Sequence, residues 1–312
     1  MKRVAALVAV LAAAYFSGSG YLINLLVVSA IFTLPALGLS LLMGYTGQIS
    51  LGHAAFVGLG AYGSALLAKA LGFSPWIAIP VTTALVTMIA WGLGWLVFRL
   101  RGHHLAMATL ALGIIVHVGT VEWKSLTGGQ DGLSSIPPLT LLGTSLAPDA
   151  KMFPLAWLIV IAAMLLAENL VRSPIGLAMR AVAMSEPVAA SLGIAPDVIK
   201  RRVMAVSGAY AAVGGALYAH YLGYISPGPF DVGFSIRLLL IVALGGFAGV
   251  WSVLFGVLFV VLTSELLKPF GRWDVVLYGA LLVIVMIWCP RGLLDGLARV
   301  ARWRPGMAGA PR

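Results

Sequence analysis

The feature that most limits what this chain can fold into is a series of apolar stretches of about 20 residues each, long enough to cross a ~30 Å hydrocarbon core as helices. Inside lipid every backbone N–H and C=O must find a partner, so only helices or closed barrels span it. A barrel would show alternating segments of about ten residues, and these runs do not alternate. The spans read as Val4–Tyr21, Leu22–Met43, Ala54–Leu71, Trp76–Phe98, Leu105–Trp123, Phe153–Val171, Val203–Leu222, Ser235–Gly246, Val250–Leu267 and Val275–Cys289. Composition agrees. Only 10% of the 312 residues are charged and 61% are hydrophobic, against about 25% charged in a soluble domain. That hydrophobicity excludes disorder. A single cysteine, Cys289, excludes an intrachain disulfide framework and a multi-cysteine metal site. The expected fold is therefore an all-α polytopic membrane protein of about ten transmembrane helices, one domain over residues 1–312.

Charge placement sets the orientation. The N-terminal run has a basic start and Ser17–Gly20 behind it, as signal peptides do, but another apolar helix follows at once, so it reads as a retained first helix. With Lys2 and Arg3 inside, Arg99, Arg101, the segment Arg172–Arg202 and the arginine-rich C-terminal tail all fall inside. This requires Ser235–Leu267 to cross twice, turning at Gly245–Gly249; a half-crossing at Ser235–Gly246 would need a different turn elsewhere. Inside then carries 14 Lys/Arg and 4 Asp/Glu, and outside 6 of each, Arg237 among the external ones. The positive-inside rule explains this whole net charge of +10, with both termini cytoplasmic. No nucleic-acid surface is needed. Tryptophans at crossing ends (Trp76, Trp123, Trp273, Trp288) read as interfacial anchors.

Three segments carry polar chemistry. Gly44–Gly63 (GYTGQISLGHAAFVGLGAYG) places Thr46, Gly47, Gln48, Ser50, Gly52 and His53 between two helices. It reads either as a broken element beside a transport path or as an interfacial loop before a helix packed through small residues. A faint echo of Gly44–Ser50 appears at Gly246–Ser252. The external loop, about residues 124–151, contains Thr127, Gly128, Gly129, Gln130 and Asp131. The cytoplasmic loop, about residues 172–202, has helix-start signals at Ser173-Pro174, Ser185-Glu186-Pro187 and Pro196-Asp197. Short helices with a modest apolar face fit the groove of a soluble partner; the alternative is a segment lying on lipid headgroups.

What is missing also matters. There is no Gly-Lys dipeptide, hence no phosphate-binding loop, no His-Glu-x-x-His and no Gly-x-Ser-x-Gly. Glu122, Glu168, Glu265 and Asp274 lie near crossing ends, and Glu168 is spaced to pair with Arg172. Ion-driven carriers keep an intramembrane carboxylate. The chain thus reads as a passive pore or as a subunit driven by a partner, and not as an enzyme. The histidines show no metal-ligand spacing, and no metal is expected; His117 and His220 are placed to hydrogen-bond across helices.

GYTGQISLGHAAFVGLGAY (Gly44–Tyr62) resembles the signature of permease subunits of branched-chain amino-acid ABC importers. LTGGQDGLSSIP (Leu126–Pro137), Ser173–Gly193, Tyr224–Phe230, Leu239–Trp251 and Tyr278–Leu294 resemble further segments of that family in order, over about residues 20–295, and the order suits its LivM-type member. The resemblance implies a ten-helix permease of the vitamin B12-importer kind, a type II importer-like fold. It implies a second homologous permease subunit, two ATP-binding subunits that carry the ATP and Mg, a periplasmic substrate-binding protein and a bacterial inner (cytoplasmic) membrane. Ser185, Glu186, Ala189, Ala190, Leu192, Gly193 and Ile194 would meet the ATPase. The family's Glu-Ala-Ala pattern, with Gly six positions after the Glu, is matched loosely, since Gly193 lies seven positions after Glu186. Thr46, Gly47, Gln48, Ser50, Gly52 and His53 would lie near the path, and Thr127, Gly128, Gly129 and Asp131 would face the binding protein. Uptake of urea or short amides is the alternative inside the family, and a stand-alone channel or secondary carrier the alternative outside it.

Overall fold

A computed structural model describes residues 2–16, 18–100, 102–141, 143–246 and 249–267, together with Gly279, Ala280 and Val283. The expected last span, Val275–Cys289, the motif Tyr278–Leu294 and the arginine-rich tail otherwise lie outside the described residues, as do Trp273 and Trp288.

The helices in chain order are α1 (Lys2–Phe16), α2 (Gly20–Thr46), α3 (His53–Ala70), α4 (Pro75–Val97), α5 (His103–Glu122) and the single turn α6 (Lys124–Thr127). A 3-10 turn (Gly129–Asp131) and a two-residue hairpin, β1 (Thr140–Leu141) and β2 (Thr144–Ser145), follow. Then come α7 (Asp149–Arg172), α8 (Pro174–Met184), α9 (Glu186–Ser191), α10 (Pro196–Leu222), α11 (Val232–Gly245) and α12 (Val250–Leu267). Among the described residues, α2, α4, α5, α7 and α12 are long and apolar enough to cross a membrane. Most apolar runs sit within a few residues of the observed helices. The seventh begins earlier than its apolar run: Pro196 starts one continuous 27-residue helix that carries Lys200, Arg201 and Arg202 into the bundle.

α10 is the axis of the bundle and packs against α2, α3 and α4. It runs antiparallel to α2: Tyr221 lies by Asn24, Gly214 by Ile31 and Pro35, and Ser207 by Gly38. It runs parallel to α3, with Gly215 on Val57 and His220 on Ser64. Small residues make these approaches possible: a Cβ on Gly215 would collide with the Val57 carbonyl. Without a hydrophobic drive between helices in lipid, such close contact is what holds spanning helices together. Polar cross-links add to it. His220 bridges the Ser64 hydroxyl (2.7 Å) and the Pro137 carbonyl (2.7 Å), and the Tyr210 hydroxyl donates to the Ala163 carbonyl (2.8 Å). Glu168 pairs with Arg172 on one helix face and also accepts from the Trp251 indole at 3.0 Å.

The outer faces of α4 and α5 stay apolar and exposed, with Leu85, Met88, Trp95, Met107, Ile115 and Val118. A flank this apolar marks a surface covered by lipid or protein. One end of the bundle gathers Arg99, Arg172, Arg180, Lys200, Arg201 and Arg202 near α8 and α9. The other end carries the segment from Trp123 to Pro148.

Candidate translocation path and coupling surface

Two of the longest helices end alike and hand over to irregular backbone. α2 and α10 are both 27 residues long, and both close on a glycine in the left-handed region, Gly47 at φ 68° and Gly223 at φ 69°. A side chain there would be strained, which is why glycine ends both helices. After Gly47 the chain doubles back: His53, the first residue of α3, lies beside the backbone of Pro35. Pro35 is eleven residues before the end of α2, about 16 Å of helix. The intervening backbone is tied by the Gln48 side-chain amide to the Thr46 carbonyl (3.0 Å) and by the Leu51 N–H to the Thr109 hydroxyl (3.1 Å). After Gly223, residues 223–231 return from the opposite end. Ile225 pairs with Leu133, a 3-10 turn covers Gly228–Phe230, and the Asp231 carboxylate caps α11 by accepting from Phe234 N–H at 2.9 Å.

The two broken segments meet, the Ala54 N–H donating to the Ser235 hydroxyl at 2.9 Å. Non-helical backbone within such a bundle survives only where protein or a water-filled path surrounds it, and half-helices meeting at mid-height are a recurring device of transporters. The counterpart of residues 47–52 is therefore the stretch 223–231. The faint Gly246–Ser252 echo lies at the α11–α12 turn, where Phe247 and Ala248 fall outside the described residues.

The residues singled out around this break divide by position. Thr46, Ser50, Gly52 and His53 are buried, Gln48 is half-buried and Gly47 is exposed. Thr46 returns its hydroxyl to the Leu42 carbonyl of its own helix. The Ser50 hydroxyl and both ring nitrogens of His53 have no hydrogen-bond partner of regular geometry, an uncommon state for buried polar atoms.

Above Pro35 opens a cavity of about 350 Å³ between α2, α3, α10 and α11. Its walls include the rings of Phe32, Tyr218, Phe230 and Phe234, with Asp231 and Arg237 at the rim. Phe32 sits 5.4 Å from Phe234 and 6.2 Å from Tyr218, centroid to centroid, and Tyr218 sits 6.0 Å from Phe230. Reading the sequence alone misses this site. The signals present were the Pro-Gly-Pro break at Pro227–Pro229 and an arginine inside a short apolar helix. Arg237, grouped by the charge count with the external residues, lines the same cavity as Ile31 and Pro35 of α2.

At the positive end, α8 and α9 form a helical elbow. Ser185 caps α9 by accepting from Val188 N–H at 3.4 Å, and Ala189 faces inward, 1% exposed. Glu186 pairs with Lys200 at 3.1 Å, and Lys200, 1% exposed, also faces Asp197 at 3.5 Å and the Phe98 ring. Ala190, Leu192 and Gly193 point outward and Ile194 is half-buried; Met184 (89%), Val188 (58%) and Leu192 (73%) make an exposed apolar tip. The elbow touches the first break: a Cβ on Gly47 would lie 3.6 Å from the Ala183 Cα.

At the opposite end, Thr127 and Gly129 are buried, Gly128 is half-buried and Asp131 is exposed. The Thr127 hydroxyl bonds the Thr120 carbonyl (2.6 Å) and accepts from Gly129 N–H (3.2 Å), while the Asp131 carbonyl accepts from the Tyr224 hydroxyl at 3.1 Å. This turn therefore locks α5 to the returning segment after α10.

The sequence profile of the family described as branched-chain amino acid transport system, permease component, matches residues 21–286. The chain is 31% identical over 295 residues to the high-affinity branched-chain amino acid transport system permease protein LivM of Escherichia coli K12, covering 87% of this chain and 69% of that one. It is 30% identical to the LivM protein of Salmonella typhimurium, covering 92% and 73%. It is 25% identical to the LivH permease protein of the same Salmonella strain, covering 84% and 91%. No solved structure matches significantly. The chain belongs to the permease-component family of branched-chain amino acid transport systems.

Proposed function

We propose that this chain is the LivM-like membrane-spanning subunit of an ATP-driven importer of leucine, isoleucine and valine in a bacterial inner membrane. Its partners would be a second homologous permease subunit, two ATP-binding subunits and a periplasmic binding protein, within lipid and without nucleic acid. ATP and Mg would be held by the ATP-binding subunits rather than by this chain. The observation that carries the reading is the elbow at the positive end. Met184, Val188 and Leu192 project from two short helices, which suits the groove of a soluble partner. The Glu186–Lys200 pair fastens the elbow to α10, and Ala183 rests on Gly47. A push from an ATPase on α9 would therefore move α10 and the residue 47–52 break together, as a rigid-body shift of packed helices. Ser50, Gly52 and His53 stand where that break meets α5 and α2.

The test is affinity purification of the tagged chain in mild detergent with identification of what comes along. A second permease and ATP-binding subunits are expected, and Leu192→Glu is expected to release the ATPases while keeping the second permease. A chain that purifies alone and conducts solute without ATP would contradict the proposal.

A further inference from the structure

The cavity between α2, α3, α10 and α11 has a chemistry of its own. Its base is apolar and aromatic, from Phe32, Tyr218, Phe230 and Phe234. Its rim bears one carboxylate and one guanidinium, Asp231 and Arg237, both exposed. Its volume of about 350 Å³ lies in the range of small-molecule sites.

The depth of the cavity makes these charges informative. Ile31 and Pro35 line it, and they stand 11 and 15 residues from the start of a 27-residue helix, so the cavity sits near mid-height of the bundle. Ser235, two residues before Arg237, meets the break at Ala54 there. An exposed Asp and Arg at this height are costly against lipid, so this flank faces protein or a water-filled path. Asp231 has one evident structural duty, capping α11 through a single oxygen. Arg237 lies on α11, whose interior needs no cation near its first turn.

We propose that this cavity is a binding station for a zwitterionic aliphatic α-amino acid on its way through the permease. Asp231 takes the ammonium, Arg237 takes the carboxylate as a planar fork, and the four rings receive the side chain. The assignment rests on the importer reading, which supplies the solute class. It adds the station, the two groups that hold the solute's charged ends, and the rings that select an apolar side chain.

The test uses the assembled complex, with Pro229 at the cavity wall replaced by cysteine in a Cys289→Ser chain, so that one thiol reports on the cavity. Leucine at about ten times its Kd is expected to slow maleimide labelling of that thiol by about tenfold, because only the unoccupied cavity reacts. Neither 4-methylpentanoate, which lacks the ammonium, nor isoamylamine, which lacks the carboxylate, should protect. Adding Asp231→Asn or Arg237→Gln should abolish protection by leucine in complexes that still assemble, and Arg237→Lys should keep part of it. Equal protection by all three solutes, or none by leucine in a complex that imports it, would overturn the station. Absence of branched-chain amino acid uptake by the unmodified complex would instead overturn the importer reading, and leucine protection would then still decide whether the station exists.

Discussion

The Ser235 hydroxyl accepts the Ala54 N–H at 2.9 Å, joining residues 181 positions apart in sequence at the place where two broken helices meet. Ala54 is in the first turn of α3, whose N–H groups have no partner within the helix. Both groups are buried, so the bond replaces water that cannot reach them. Ser235→Ala leaves a buried donor unpaired, a cost of about 1–3 kcal/mol. The apparent Tm of the purified complex is expected to fall by several degrees in a thermal-shift assay. An unchanged Tm would mean that the two breaks do not depend on each other.

The α3–α10 seam tolerates no added atom. A Cβ on Gly215 meets the Val57 carbonyl and one on Gly60 meets the Ala212 backbone, and backbone cannot turn aside as a side chain can. Gly215→Val is expected to abolish the monodisperse peak in detergent chromatography. Gly92→Ala, with open space around it, should leave the peak intact and gain up to about 1 kcal/mol of helix propensity.

Lys200 and Glu186 differ in burial, and their variants should differ accordingly. Lys200 is 1% exposed, whereas the Glu186 side chain is 24% exposed. Glu186→Gln strands the ammonium with only the exposed Asp197, approaching the roughly 3–5 kcal/mol cost of a broken buried pair. Lys200→Met leaves carboxylates that water can reach and a side chain that fits beside Phe98. The ordering expected from chemical denaturation is therefore Glu186→Gln below Lys200→Met; the reverse order would show that the pair does not anchor α9.

Sidedness is open to direct labelling. Leu192 is 73% exposed at the elbow, whereas Ala189 is buried and would report poorly. In a Cys289→Ser chain, Leu192→Cys is expected to react with an impermeant maleimide only from the cytoplasmic face, and Gly143→Cys only from the periplasmic face. Reaction of Leu192→Cys from outside would invert the orientation drawn from the charges.

Much of this arrangement was legible in the sequence, because hydrophobic runs and prolines act locally. Pro174 and Pro187 mark helix starts wherever the chain goes, and the elbow they define is where the structure has it. Glu168 and Arg172 pair because four residues bring them to one face. The cavity was not legible. Phe32, Tyr218 and Phe234 lie on three different helices, and no local pattern states that they converge. Nor does the sequence show that Arg237 belongs at mid-height, because a charge count treats a half-helix and its preceding loop as one crossing. The turn at Thr127–Asp131 shows a third limit: the resemblance turned it toward a binding protein, and no local pattern states that Thr127 and Gly129 are buried in the fold while Gln130 and Asp131 stay exposed.

The most direct measurement is uptake of radiolabelled leucine into proteoliposomes that hold this chain with its co-purified permease and ATP-binding subunits, with binding protein supplied outside. Uptake is expected to require ATP inside, to be competed by isoleucine and valine, and to be lost with Leu192→Glu. Leucine accumulation without ATP, or by this chain alone, would contradict an ATP-driven importer coupled through the α8–α9 elbow.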